Sequence, residues 1–432
     1  MFTVPIILVA VLGILALGFI LKSTERWLYV AIPAHLILFL NPHGDLTSLP
    51  AAIAYGALFY PGLFLWYAKK LIRSERIIEN WGEFALASFL GFACLSIAWA
   101  SYYNFSTIKG IREFALFFGY LMYFPIREYV AEKGWERILW ILLSVCAVAA
   151  IYGVVKYKMS ISIAEYFWQV IGSREALNEP LFMSALIILF GFVAARRYKL
   201  FLITALIALN AVALALTFSR GYWISAIIGI ALLAFVTPGN PRRTILTLSV
   251  LSTLAVVVVA EIMFPRVFTD LIQGLGVRLA KVSLNDISLE NRFVESAAVL
   301  KRVALSPIIG YGLGAEFTFF NIITKLSETT WYIHNAYLFL LYKFGIVGTA
   351  LYLSSYFYML IKTALFAFRL NDESIRVILM SLVCTMCVML IVSVTSPQFY
   401  DRVAILILTT IWGISAGIMK SRTKESVSGD VA

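Results

Sequence analysis

The chain has 432 residues, 61% of them hydrophobic and only 14% charged, with a mean hydropathy of +0.89 and a formal net charge of +11. That composition excludes a soluble globular enzyme and a disordered chain. The basic surplus is scattered over short loops, so it reads as a topology signal and not as nucleic-acid binding.

Apolar runs of bilayer-spanning length recur from end to end. In hydrocarbon the backbone must satisfy its own hydrogen bonds, and long uninterrupted runs do so as helices, whereas barrel strands would be short and alternating. The expected spans lie near 2–21, 27–40, 50–67, 84–100, 109–126, 137–155, 177–195, 200–217, 221–236, 244–263, 335–361, 377–394 and 403–419. The fold class is therefore all-α: a polytopic integral membrane bundle of about 12–13 transmembrane helices. The whole chain reads as one membrane domain with one large, partly helical extracytoplasmic loop, residues 264–333, and a polar tail from Lys420 that is expected to be disordered.

Basic residues mark alternate loops: Lys22/Arg26, Lys69/Lys70/Arg73/Arg76, Arg127/Lys133/Arg137, Arg196/Arg197/Lys199, Arg242/Arg243, Lys362/Arg369/Arg376 and the tail. The positive-inside rule assigns these to the cytoplasm and the opposite set, including 264–333 and 395–402, to the outer side. The four cysteines fall inside spans and the three histidines are dispersed, so neither a zinc site nor a structural disulfide is expected.

The large loop has internal order. A helix is expected from about Asp286 or Ser288 to Leu305, with Glu290 in its first turn and Lys301/Arg302 in its last, as the helix dipole favours. Leu289, Phe293, Ala297, Leu300 and Ala304 recur at helical spacing and predict an apolar face lying on the membrane domain. Ser306-Pro307 ends the helix, and Gly310-Tyr311-Gly312-Leu313-Gly314 is expected as a flexible turn.

Several polar groups then stand out on the outer side. His334-Asn335 opens an apolar run, where a lone imidazole at a membrane–water boundary is either an interfacial anchor or a proton acceptor. Arg220 sits in a tight turn between two runs, either snorkelling to headgroups or binding a carboxylate, a carbonyl or a ligand phosphate. Arg174, Arg266, Arg278 and Arg292 lie on the same side, although Arg292 has Glu295 one turn on as a local partner.

Four segments resemble the O-antigen ligase / O-antigen polymerase superfamily of bacterial envelope glycosyltransferases. Ser219-Arg220-Gly221 resembles that family's Ser-Arg-Gly turn. Asn291-Arg292 followed by Ser306-Pro307-Ile308-Ile309-Gly310-Tyr311-Gly312-Leu313-Gly314 resembles its Arg and Pro-x-x-Gly-x-Gly-x-Gly stretch. His334-Asn335, followed by Gly345 and Gly348, resembles the ligase pattern of His, a polar residue, nine residues and Gly-x-x-Gly. Arg174 to Pro180 resembles a looser arginine-plus-Asn-Pro segment, with Glu179 where an asparagine is common.

The resemblance implies an enzyme of the bacterial inner membrane whose site faces the periplasm. It implies an undecaprenyl-pyrophosphate-linked glycan as donor, lipid A–core or a second glycan as acceptor, membrane lipids as surroundings, and no cofactor or metal. On that reading His334 is the general base and Arg220 and Arg292 serve catalysis at the pyrophosphate. Arg174, Arg266, Arg278 and Asn335 bind or orient substrate. Glu295, Glu316 and Asp401 are competing bases. A polymerase joining lipid-linked repeat units shares the donor chemistry, and a transporter is the reading from another class, for which charges at mid-membrane depth would be needed.

Overall fold

A computed structural model describes residues 17–39, 49–161, 178–195, 200–217, 219–237, 239–263 and 287–429. Arg174, Arg266 and Arg278 lie outside these residues. The helices in chain order are α1 (Thr24–Phe39), α2 (Leu49–Ile72), α3 (Trp81–Tyr102), α4 (Thr107–Phe117), α5 (Tyr123–Lys133), α6 (Glu136–Ile161), α7 (Glu179–Ala194), α8 (Leu200–Leu216), α9 (Arg220–Val236), α10 (Asn240–Met263), α11 (Ile287–Val303), α12 (Ala336–Arg369), α13 (Glu373–Val392) and α14 (Arg402–Gly429). A 3-10 turn, Phe118–Met122, joins α4 to α5, so the run expected as one span at 109–126 is helical in three pieces. Five described helices are long and apolar enough to cross a membrane, and three more are apolar but shorter. The chain is an all-α polytopic membrane protein.

Which helices are central follows from their composition. A helix apolar on every side has no polar face to turn to water and is buried or lipid-bound. Pro180 to Ala195 of α7 and Val403 to Met419 of α14 are buried along their whole length, and α13 nearly so. The outer helices keep large side chains outward, among them Leu95 on α3, Ile227 and Phe235 on α9 and Val250 on α10. Helices approach closely where glycine allows it. A Cβ on Gly413 or Gly417 of α14 would lie 2.6 and 2.5 Å from Ile126 and Val130 of α5.

Charge is sorted to the two ends. Lys70 pairs with Glu75 and Glu128, Arg127 with Glu79 and Glu83, Arg137 with Glu25, Lys420 with Glu79 and Arg422 with Asp372. Five of the regions that the alternation rule assigned to one side, around residues 25, 70–76, 127–137 and 372 and at the start of the tail, are thus linked by ion pairs. The last helix continues to Gly429, so the tail expected as disordered is helical to that point.

The opposite end carries α11 and an antiparallel hairpin, β1 (Phe317–Asn321) and β2 (Leu326–Thr330), with Phe317 opposite Thr330 and Asn321 opposite Leu326. The sequence reading did not anticipate the hairpin. α11 occupies the expected stretch and ends before Ser306-Pro307, but its rotation differs from expectation. Phe293 and Leu300, on the expected buried face, are 59% and 50% exposed, while Asn291, Glu295 and Val299 point inward. The cause is specific hydrogen bonding. The Asn291 Oδ1 accepts from the Ile322 amide at 2.9 Å, and both oxygens of Glu295 are taken up at His334.

Candidate active site

The site begins with a break in α12. Gly345 adopts φ +60°, ψ −164°, which interrupts the helix after Phe344. In an unbroken helix the amides of Ile346 and Val347 would bond to the carbonyls of Tyr342 and Lys343. All four groups instead pair with the segment that follows α11. Ile346 N donates to Pro307 O (2.8 Å) and Val347 N to Ile308 O (3.1 Å), while Tyr311 N donates to Tyr342 O (2.9 Å) and Gly312 N to Lys343 O (2.8 Å). The break therefore leaves none of these polar groups unpaired.

The approach requires glycine on both partners. A Cβ on Gly345 would lie 2.3 Å from the Ile308 backbone, and one on Gly312 would lie 2.1 Å from Ser96 O. The Gly310–Gly314 run is thus a packed junction against α3 and α12, not the flexible turn expected from its composition. Lys343 secures it: its buried Nζ donates to Ala315 O (2.6 Å) and forms an ion pair with Glu113 of α4 at 2.8 Å. These charged groups are buried within the runs expected as spans at 109–126 and 335–361.

His334 lies just ahead of the first segment of α12. Glu295 grips it twice, with Oε1 accepting from the His334 amide (2.8 Å) and Oε2 lying 2.7 Å from Nδ1. The carboxylate side chain is 3% exposed and the imidazole 36%, so the pair has a closed side and an open side. An ionised carboxylate only accepts hydrogen bonds, so Nδ1 carries the proton, and in the neutral ring the Nε2 lone pair is available on the open side. Tyr332 stacks edge-on against the ring at 4.9 Å. Tyr400 fixes the preceding residue, accepting from Ile333 N at 3.0 Å and donating to Ile333 O. Asn335 is a helix cap, its Oδ1 accepting from the amides of Tyr337 (2.9 Å) and Leu338 (3.1 Å). That carbonyl is therefore committed to the helix.

The loop Ser393–Asp401, between α13 and α14, gathers the other motifs. Ser393 O accepts from Ala336 N at 2.9 Å. Thr395 O accepts from Arg292 Nη1 at 3.2 Å. Gly221 faces the same residue, since a Cβ there would sit 3.4 Å from Thr395 Oγ1, and the Tyr222 and Ser396 hydroxyls are 2.6 Å apart. Arg220, the first residue of α9, is exposed beside this loop. Arg292 is thus tied directly to residues 393–396 of one loop, and Arg220 and His334 stand next to residues that are, Gly221 and Tyr222 for the one and Ala336 for the other. Burial, followed by the carboxylates of Asp401, Glu295 and Glu179, pushes the Tyr332 phenol above its usual range, while Arg292 opposes the shift. Glu179 from the Asn178-Glu179-Pro180 segment is therefore within electrostatic reach of the site.

The competing bases are engaged elsewhere. Glu316 is held by Lys109 at 2.8 Å, and Asp401 caps α14 through the amides of Val403 and Ala404. Glu295 pairs with His334, not with Arg292, its neighbour one turn away. Sequence reasoning missed the Glu295–His334 pairing, Tyr332 and the role of the 393–396 loop. The first joins residues 39 positions apart and leaves no local signal.

No curated protein matches the chain. Residues 203–353 match the family model described as O-antigen ligase, a stretch that contains Arg220, Arg292, the Gly310–Gly314 junction, His334 and the Gly345 break. That match supports placing the chain in the O-antigen ligase / O-antigen polymerase superfamily.

Proposed function

We propose that this protein is an O-antigen ligase, a glycosyltransferase of the bacterial inner membrane that moves a glycan from undecaprenyl pyrophosphate to a hydroxyl of lipid A–core at the periplasmic face. The observation that carries the mechanism is the Glu295–His334 pair, a half-exposed imidazole whose far nitrogen is held by a buried carboxylate. A base oriented by a third group is the arrangement that activates a hydroxyl nucleophile.

In this mechanism His334 Nε2 takes the acceptor hydroxyl proton as that oxygen bonds to the anomeric carbon. The bond from that carbon to the pyrophosphate oxygen breaks, and its electron pair leaves with the pyrophosphate. Attack from the face opposite the leaving group inverts the anomeric centre. Arg292 and Arg220, with Arg174, Arg266 and Arg278 as helpers, offset the charge that collects on the leaving group, so no metal ion is required. Thr395 O occupies one Arg292 donor and fixes the direction of the guanidinium, which has further N–H groups for oxygen ligands. Glu295 and Asn335 position His334, the one through its side chain and the other by capping the helix that follows.

The test is transfer in vitro by purified protein with chelator present, undecaprenyl-pyrophosphate glycan as donor, and either lipid A–core or no added acceptor. Glycosylated lipid A–core that is lost in His334→Ala supports the reading. A ladder of longer lipid-linked glycans without added acceptor would assign a polymerase instead. Dependence on a divalent cation would refute the metal-free mechanism.

A further inference from the structure

A second feature lies at the far end of α12. From Ile346, past the break at Gly345, to Lys362 the helix advances about 24 Å at 1.5 Å per residue, most of the hydrocarbon thickness of a bilayer. There α3, α5, α12 and α14 enclose an open groove of about 1020 Å³. Its lining includes Met359, Leu365, Phe366 and Met419, the exposed cations Lys362 and Arg369, Lys420 and the buried Arg127, against only two acids, Glu79 and the buried Glu83.

The two acids are already occupied. Glu83 pairs with Arg127, and Glu79 is shared between Arg127 and Lys420. Lys362 and Arg369 have no carboxylate partner among the described residues, and Lys362 Nζ donates to the Tyr358 hydroxyl at 2.8 Å. Trp81, at the start of α3 next to the groove residue Asn80, is 61% exposed, as expected of a tryptophan at a membrane–water boundary. The groove therefore combines an apolar wall with an uncompensated positive rim at headgroup depth.

We infer that this groove binds an anionic phospholipid, with its phosphate against Lys362 and Arg369 and an acyl chain along Met359, Leu365 and Phe366. The site is distinct from the His334 end and does not rest on the transfer reaction. Charge complementarity selects the headgroup: a basic residue near an anionic surface contributes about 1 kcal/mol, or about fivefold in affinity. The apolar wall selects a lipid over a soluble phosphate.

The experiment is native mass spectrometry of the intact protein released from mixed phosphatidylglycerol–phosphatidylcholine nanodiscs. Wild type should retain phosphatidylglycerol in preference to phosphatidylcholine by on the order of tenfold. Lys362→Gln/Arg369→Gln should lose most of that preference. Neither residue has a carboxylate partner to strand, and a melting temperature near that of wild type verifies folding of the variant. Lys362→Gln and Arg369→Gln alone should each show an intermediate preference, and they serve if the double variant does not fold. Short-chain phosphatidylglycerol should displace the retained lipid, and glycerol phosphate at the same concentration should not. Equal retention of the two lipids by wild type, an unchanged preference in the folded variants, or full displacement by glycerol phosphate would each overturn the proposal.

Discussion

Gly345→Ala probes the junction on which the His334 segment is built. Two costs arise. An alanine at φ +60°, ψ −164° is strained by about 1–3 kcal/mol. Its Cβ would also lie 2.3 Å from the carbonyl carbon and oxygen of Ile308 and 2.6 Å from Ile309 N. These are backbone atoms, so no rotamer change relieves the contact, and α12 must separate from the 307–312 segment. Separation exposes the four main-chain hydrogen bonds between them to loss, at about 1 kcal/mol each net. The sum, about 5–7 kcal/mol, is comparable to the whole net stability of many domains. The assay is thermal unfolding in detergent, with hydrogen exchange read at Tyr311, Gly312, Ile346 and Val347. Gly91→Ala on α3 is the control, because a Cβ there meets nothing within 4 Å. A Gly345→Ala protein that melted within a degree or two of wild type, with those four amides still protected, would refute the reasoning.

Other substitutions test the site more directly. Glu295→Gln presents an amide to Nδ1 and favours the wrong tautomer, so kcat should fall on the order of 10²-fold or more while the donor KM stays within about threefold. A variant with half of wild-type turnover would rule out the pairing as a catalytic device. Arg220→Ala should lower transfer by at least about tenfold with an unchanged melting temperature, because the residue is exposed; a parallel loss of stability would argue for a structural role. Tyr400→Phe removes the hydroxyl that pairs with both polar groups of Ile333 and should cost about 1–3 kcal/mol of stability, read by thermal melting. Hydrogen bonds from Asn321 and Thr324 hold the Glu328 carboxyl below its ordinary range. Its support of the hairpin turn is therefore present above the ordinary carboxylate range and lost as pH falls through the lowered value. Amide exchange in the 321–328 turn, relative to the rest of the hairpin, should rise on acidification and change little in Glu328→Gln.

Membrane class and helical character were legible because hydrocarbon tolerates few alternatives to a long apolar helix. The end of α11 was legible because Ser306-Pro307 cannot continue a helix. The rotation of α11 was not. Hydrophobic spacing favoured Phe293 and Leu300 as the buried face, but polar bonds from Asn291 and Glu295 to distant amides decided the outcome. The hairpin was faintly visible in the alternation of Phe317 and Phe319 inward with Thr318 and Phe320 outward, a pattern only four residues long. The loop that gathers Arg220, Arg292 and His334 contributes mainly main-chain carbonyls and small hydroxyls, so its composition gives no hint of that role.

The junction at Gly345 also bears on how such a motif varies. Its two halves meet through main-chain atoms, and the side chains of Ile308 and Ile346 face away from the contact, 64% and 59% exposed. Lipid asks of such positions only that they be apolar. The pairing is therefore expected to tolerate free exchange among isoleucine, valine, leucine and phenylalanine at 308 and 346, while Gly310, Gly312 and Gly345 admit no substitute. A search for relatives that weights hydrophobic identity would discard the sterically constrained part of the motif, whereas one that matches glycine spacing on both halves together would retain it.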